Sequence, residues 1–141
     1  MERMTDAQWQ AFVMASPRTA KLSTIRADGR PHVAPVWFVL DGQDVVFTTW
    51  ETTVKGRNLR RDPRVGLCVD DPYDLYSYVM IDGTVEISED PETLLHWATI
   101  IGGRYMGEDR AEEFGRRNGV PGELLVRIKP TNVVGLTGIS D

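Results

Sequence analysis

TAKLSTIRADGRPHVAPVWFVLDGQDVVFTT, Thr19 to Thr49, holds three runs rich in β-branched and aromatic residues: Thr19 to Ala27, His32 to Leu40 and Asp44 to Thr49. Asp28-Gly29 and Asp41-Gly42 separate them, and Asp-Gly is favoured in tight hairpins because both residues tolerate positive φ. The stretch therefore reads as an antiparallel meander. Its middle run departs from simple alternation, since Val33-Ala34-Pro35-Val36-Trp37-Phe38-Val39-Leu40 is apolar at every position. A half-exposed antiparallel strand alternates with polar residues, so a packed helix, a second subunit or a flat ligand must cover the other face. Pro35 inside the run marks a bulge or a sheet edge, because proline donates no ladder hydrogen bond.

On the amino-terminal side, Thr5 and Gln8 have the spacing of a capping box, and Trp9, Phe12 and Val13 form an apolar stripe that Pro17 ends, which predicts a short helix. On the carboxyl-terminal side, Thr52 to Asp62 reads as a short helix stopped by Asp-Pro. Arg64 to Asp70 and Leu75 to Ser88 resume the strand pattern. Pro91 to Ile101 and Asp109 to Arg117 read as helices, with Gly102-Gly103 as a helix stop. Glu123 to Lys129 and Asn132 to Leu136 read as two closing strands. The sum is about seven strands and four short helices in a single domain spanning residues 1–141, mainly β in an α+β arrangement.

Composition narrows the function classes. With 41% hydrophobic and 26% charged residues the chain is that of an ordinary globular domain, and no run approaches the roughly 20 apolar residues of a membrane span. The acidic, amphipathic start lacks the pattern of a secretory leader, which makes the cytoplasm the expected compartment. A net charge of −5 argues against general nucleic-acid binding. The lone Cys68 lies in an apolar strand run and offers neither a disulfide nor a metal set. His32 and His96 have no carboxylate at a triad or ligand spacing and read as structural, so no catalytic residue and no metal ligand is assigned.

The chemistry-bearing segment is Phe47-Thr48-Thr49-Trp50-Glu51-Thr52-Thr53-Val54-Lys55-Gly56-Arg57-Asn58-Leu59-Arg60-Arg61-Asp62-Pro63, where a strand ends in hydroxyl residues and a cationic helix begins among them. Lys55, Arg57, Arg60, Arg61 and Arg64 are five of the chain's sixteen basic residues. A helix start leaves backbone N–H groups unpaired at the positive end of the macrodipole, so a Thr hydroxyl and a Lys ammonium there complete an anion cradle. The alternative is a solvated helix face around a buried Leu59.

Taken together, the hairpin Thr24-Ile25-Arg26-Ala27-Asp28-Gly29-Arg30-Pro31-His32, the Lys55-to-Pro63 motif, Val79-Met80-Ile81-Asp82-Gly83 and the closing Val126-Arg127-Ile128-Lys129-Pro130 resemble the pyridoxamine 5'-phosphate oxidase-like family. Within it the chain is similar to the branch that uses the deazaflavin coenzyme F420. The resemblance implies a split β-barrel of the kind that binds flavin mononucleotide (FMN), working as a homodimer with a cofactor in each of two clefts between subunits. It implies that Pro35, Val36 and Trp37, with Phe47, Thr48 and Thr49, line the tricyclic ring, and that Thr53, Lys55 and Asn58 hold the phosphate. Arg61 would help with the acidic tail, and Ser77 and Tyr78 would reach the cofactor from the other subunit. The implied activity is hydride transfer from the reduced deazaflavin to a conjugated electrophilic small molecule such as an enone, quinone or tetrapyrrole. An FMN-dependent oxidoreductase of the same fold and a non-catalytic F420 carrier are the alternatives. FMN oxidases of the family tend to carry Arg and Gln around the position of Tyr78 and a Trp and Arg signature near the carboxyl terminus. Both are missing here, which argues against pyridoxine phosphate oxidation.

Overall fold

A computed structural model describes residues 1–140. The chain runs β1 (Glu2–Arg3), α1 (Asp6–Met14), β2 (Ala20–Ile25), β3 (Pro31–Val36), β4 (Val39–Asp41), β5 (Asp44–Trp50), α2 (Val54–Arg61), β6 (Arg64–Asp71) and β7 (Ser77–Ser88). It continues through α3 (Pro91–Met106), a 3-10 turn (Glu108–Arg110), α4 (Ala111–Asn118) and β8 (Glu123–Thr137). All strand pairs are antiparallel and form one sheet in the order β3-β2-β6-β7-β8-β5-β4, with β1 pairing β8.

The two ends of that sheet are β3 and β4, which only Trp37 and Phe38 separate in sequence. The sheet must therefore curl until its edges meet, and the run expected as one strand from His32 to Leu40 is instead kinked at Trp37-Phe38 into two. Pro35 lies on an edge strand, where its missing N–H costs nothing. Inside the curl lie Leu22, Phe38, Val45, Phe47, Leu67, Val69, Val79, Ile81, Leu124, Val126 and Ile128, closed at one end by Trp9, Phe12 and Val13 of α1. The Thr5–Gln8 capping box starts α1 as its sequence predicts. Outside, Val39, Val46 and Leu125 pack beneath Leu94 and Ile101 of α3, with Trp37 and Tyr105 beside them.

The apolar run from Val33 to Leu40 is thus covered only in part. Trp37 stacks on Tyr105 of α3, ring centroids 5.0 Å apart and planes 2° from parallel, whereas Val33 stays 64% exposed. The kink itself is held from α3. Arg104 donates to the carbonyl oxygen of Phe38, and to those of Val13 and Ser16 at 2.8 Å each, with its guanidinium 4.7 Å from the Phe38 ring centroid. The Phe38 N–H donates to Tyr105 Oη at 3.2 Å, and that hydroxyl donates to the Arg18 carbonyl at 2.7 Å.

Two boundaries differ from the sequence reading. Gly102-Gly103 does not stop the third helix, which runs on to Met106. A Cβ at Gly102 would lie 2.6 Å from Phe114 Cβ, so the glycine serves the close crossing of α3 and α4. The two closing strands are one long β8 in which Pro130 pairs with Gly83 and the next residue, Thr131, is left out of the ladder by a register shift opposite Asp82/Gly83, a bulge. The two-residue β1 has no apolar period and escapes sequence reading.

Replacing Arg104 by Ala leaves three carbonyl groups without their cationic donor. Hydrogen bonds to a charged group contribute about 1.5–3 kcal/mol each and are not additive, so a loss on the order of 3 kcal/mol is expected. Urea unfolding of R104A and wild type measures it.

Candidate functional site

A cleft of about 250 Å³ opens between the sheet and the helices, lined by Pro35, Val36, Trp37, Thr48, Lys55, Ala98, Ile101, Asn118 and Glu123. Its parts come from six elements and from the kink. β3 and the kink supply Pro35 to Trp37, and because β3 ends the sheet, its backbone groups on the outer side have no strand partner. β5 supplies Thr48 and α2 supplies Lys55, while α3 and α4 roof the cleft with Ala98, Ile101 and Asn118. Glu123 stands at the start of β8.

Five of the residues predicted from sequence therefore meet: Pro35, Val36, Trp37, Thr48 and Lys55. Strand alternation explains why Phe47 and Thr49 do not join Thr48. Phe47 is fully buried inside the barrel, so its side chain cannot line a ring, and Thr49 is buried with its hydroxyl 2.9 Å from Thr53 Oγ1.

The helix start is also used differently from expectation. Thr53 is the N-cap of α2: its hydroxyl accepts from the Gly56 N–H at 3.1 Å and donates to the Trp50 carbonyl at 2.8 Å. Its one hydroxyl proton is thereby spent, so Thr49 is the donor in their contact, and Thr53 keeps no group for a phosphate. Asn58 is 4% exposed and likewise committed, donating from Nδ2 to Thr24 Oγ1 at 3.0 Å and accepting at Oδ1 from Arg61 at 2.8 Å. It braces α2 against β2 instead of facing the cleft. Lys55, by contrast, forms no ion pair among the described residues and faces the cleft from the first turn of α2, where Thr53 already holds the Gly56 N–H.

Arg61 also donates to the Ile25 carbonyl at 2.8 Å and borders a second, shallower groove of about 370 Å³ with Arg26, Asp28, Arg30 and Arg57. Asp28 is paired with Arg30 at 2.8 Å, so the groove keeps an excess of positive charge. His32 sits near this basic zone: burial first, then Arg26 and Lys55, push its pKa below the ordinary value, which holds it neutral near pH 7. Ser77 is fully buried and bonds within its own chain, to the Asp74 carbonyl and to Thr137 Oγ1 at 2.9 Å. Its hydroxyl is therefore unavailable to a neighbouring subunit. Tyr78 is partly exposed on β7 and does not line the cleft of its own chain.

Asn118 and Glu123 were not legible as cleft residues. Glu123 opens the strand opposite Trp50, a pairing no local pattern announces. Burial pushes its carboxyl up from the ordinary value, while the Thr48 hydroxyl and the Lys55 charge hold it back. Tyr105, in a Gly-bracketed stretch, packs on Trp37 and holds the kink as a neighbour of the cleft wall.

With this geometry in place, the chain can be set beside known proteins. A family model described as pyridoxamine 5'-phosphate oxidase matches residues 5–136. A conserved hypothetical protein from Mycobacterium tuberculosis is 32% identical, with a TM-score of 0.85 over 97% of this chain and 87% of the other. A structure described as an F420 reductase is 29% identical, with a TM-score of 0.69 over 87% of this chain and 94% of the other. The heme storage protein HutZ from Vibrio cholerae, 19% identical, has a TM-score of 0.74 over 98% of this chain and 100% of the other, a likeness of fold alone.

The division of labour along α2 is directly testable. Asn58→Ala should cost about 1–3 kcal/mol of stability, because it strands the Thr24 hydroxyl and one Arg61 donor. Lys55→Ala should stay within about 0.5 kcal/mol of wild type, as surface changes do. Chemical denaturation of both variants reads the difference.

Proposed function

The chain belongs to the pyridoxamine 5'-phosphate oxidase family, and from that premise we propose that it is an oxidoreductase that binds coenzyme F420 at the Lys55 cleft. The supporting observation is the meeting of Pro35, Val36, Trp37, Thr48 and Lys55 in one cavity. The donor set suits a phosphorylated, planar cofactor. Lys55 and the first-turn N–H groups of α2 other than that of Gly56 suit a phosphate, the free edge of β3 offers backbone groups to ring heteroatoms, and Trp37 presents an apolar wall. The arginine groove around Arg57 and Arg61 lies along α2 and suits a polycarboxylate tail. Support for the deazaflavin over FMN comes from the structure described as an F420 reductase.

When bound, a reduced deazaflavin supplies hydride to an electron-poor organic substrate such as an enone, quinone or tetrapyrrole. The protein's part is positioning and exclusion of water. Lys55 fixes the phosphate end, the Pro35–Trp37 edge fixes the ring plane, and α3 with Ala98 and Ile101 closes the cleft from outside. No side chain of the cleft is assigned to make or break a bond in that transfer.

The proposal includes a homodimer. A cavity of about 250 Å³ lies at the small end of the ~300–1,000 Å³ range of ligand pockets, and a second subunit packed over it would enlarge the enclosure. A second copy, contributing the region of Tyr78, completes it. Exposed apolar side chains near that strand, Tyr76 at 60% and Met80 at 44%, suit burial against another subunit.

Titrating the protein with F420 and, separately, with FMN, followed by ligand fluorescence, tests the reading. Saturable binding of F420 at micromolar concentration or below is expected, and Lys55→Ala should weaken it by about 2 kcal/mol, roughly 30-fold. Preference for FMN would move the assignment to a flavin enzyme of the same fold. Binding of F420 without any substrate-dependent absorbance change would make the protein a carrier.

A further inference from the structure

Glu123 is a charged group in the cleft that neither the fold nor the proposed ligand site employs. It pairs with Trp50 across the ladder, two positions from Thr48, so Glu123 and Thr48 lie on one face of the sheet. It lines the same cavity as Lys55 and Asn118, and it also borders an adjoining cavity of about 170 Å³ shared with Glu89, Pro91 and Leu94. The side chain is partly buried. Among the described residues it forms no ion pair.

The charged groups facing Glu123 are few. Lys55 approaches from α2. Across the adjoining cavity stands Glu89, itself paired with Arg60 at 3.1 Å. β5 and α4 present only the neutral Thr48, Trp50 and Asn118. Lys55 is therefore the cation that favours the ionised form of Glu123, and it is also the group an incoming anion would occupy.

An anion docked at Lys55 shifts that balance: its negative charge offsets the ammonium's field at the carboxylate in a partly dehydrated cleft, and a doubly charged phosphate more than offsets it. Like charges brought together this way raise the pKa of one partner. We infer that Glu123 couples anion binding in this cleft to proton uptake, its carboxyl taking a proton from solvent as a phosphate-bearing ligand seats at Lys55. The inference rests on the reading of the Lys55 cleft as the ligand site. Because the pKa is higher in the bound form than in the free form, the extra affinity is complete below the free-form pKa. It is lost as pH rises through the bound-form pKa, by up to about tenfold per pH unit for one proton.

Calorimetric titration of F420 and of FMN into the whole protein, in two buffers of different ionisation heat between about pH 6 and about pH 8, counts the protons taken up. Wild type should take up more than Glu123→Gln for the same probe, a difference that cancels any titration of the probe itself. The variant should bind with a flatter pH dependence and more tightly at the alkaline end. Independently of the variant's stability, the infrared difference spectrum of the wild type should gain a protonated-carboxyl band on probe binding. Saturable binding with equal proton uptake in both proteins and no such band would overturn the coupling while leaving the ligand site standing. Failure of both probes to bind wild type at any pH would remove the ligand site itself, and the coupling with it.

Discussion

One guanidinium ties the barrel shut. Trp37 and Phe38 carry the chain from one edge of the sheet to the other, and such a kink frees backbone groups that neither flanking strand can satisfy. Arg104 takes the Phe38 carbonyl and, with its other amino group, the carbonyls of Val13 and Ser16 at the end of α1. Tyr105 accepts from the Phe38 N–H and donates its hydroxyl to the Arg18 backbone carbonyl. The helix that supplies both residues is thereby locked onto the outside of the sheet, where Leu94 and Ile101 cover Val39, Val46 and Leu125. The cleft inherits its roof from this lock, since Ala98 and Ile101 sit on the same helix, less than two turns before Arg104.

The electrostatics of the site follow from a concentration of charge on α2 that the whole chain does not share. A net charge of −5 keeps most of the surface unfriendly to anions. Along α2 the cations divide by what they touch: Arg60 is held by Glu89, Arg61 by the Ile25 carbonyl and Asn58, and Lys55 is left facing the cleft. The helix therefore anchors itself with its last turn and offers its first. Thr53 makes that possible, because a cap that satisfies Gly56 and grips Trp50 fixes the angle at which Lys55 leaves the sheet.

Most of the architecture was legible because its signals are local. The Asp-Gly turns, the Thr5 capping box and the Asp-Pro stop each report a conformation that neighbouring residues impose. The missed features are those set by distant partners. Gly102-Gly103 has the chemistry of a helix stop, yet Phe114 on another helix determines its use. Pro130 suggested a break between strands that a bulge opposite Gly83 absorbs. In the site, composition pointed to the segment that borders the cleft, but strand alternation and hydrogen-bond capacity decided which of its members face the cleft. Phe47 lost that place to its neighbour Thr48, and Thr53 and Asn58 lost it to their own structural bonds. Glu123 could be found only by knowing that β8 starts opposite the end of β5.

The position of β8 has a consequence for how the protein is made. This strand follows all the others of the sheet in sequence, yet it lies between β7 and β5 and pairs with both. Until it emerges from the ribosome, the nascent protein holds a four-stranded piece ending at β7 and a hairpin ending at β5, each with an open edge facing a gap one strand wide. Open edges recruit any extended segment, including the same segment of another nascent chain. The interval before β8 pairs is therefore when the polypeptide is most open to edge-to-edge association.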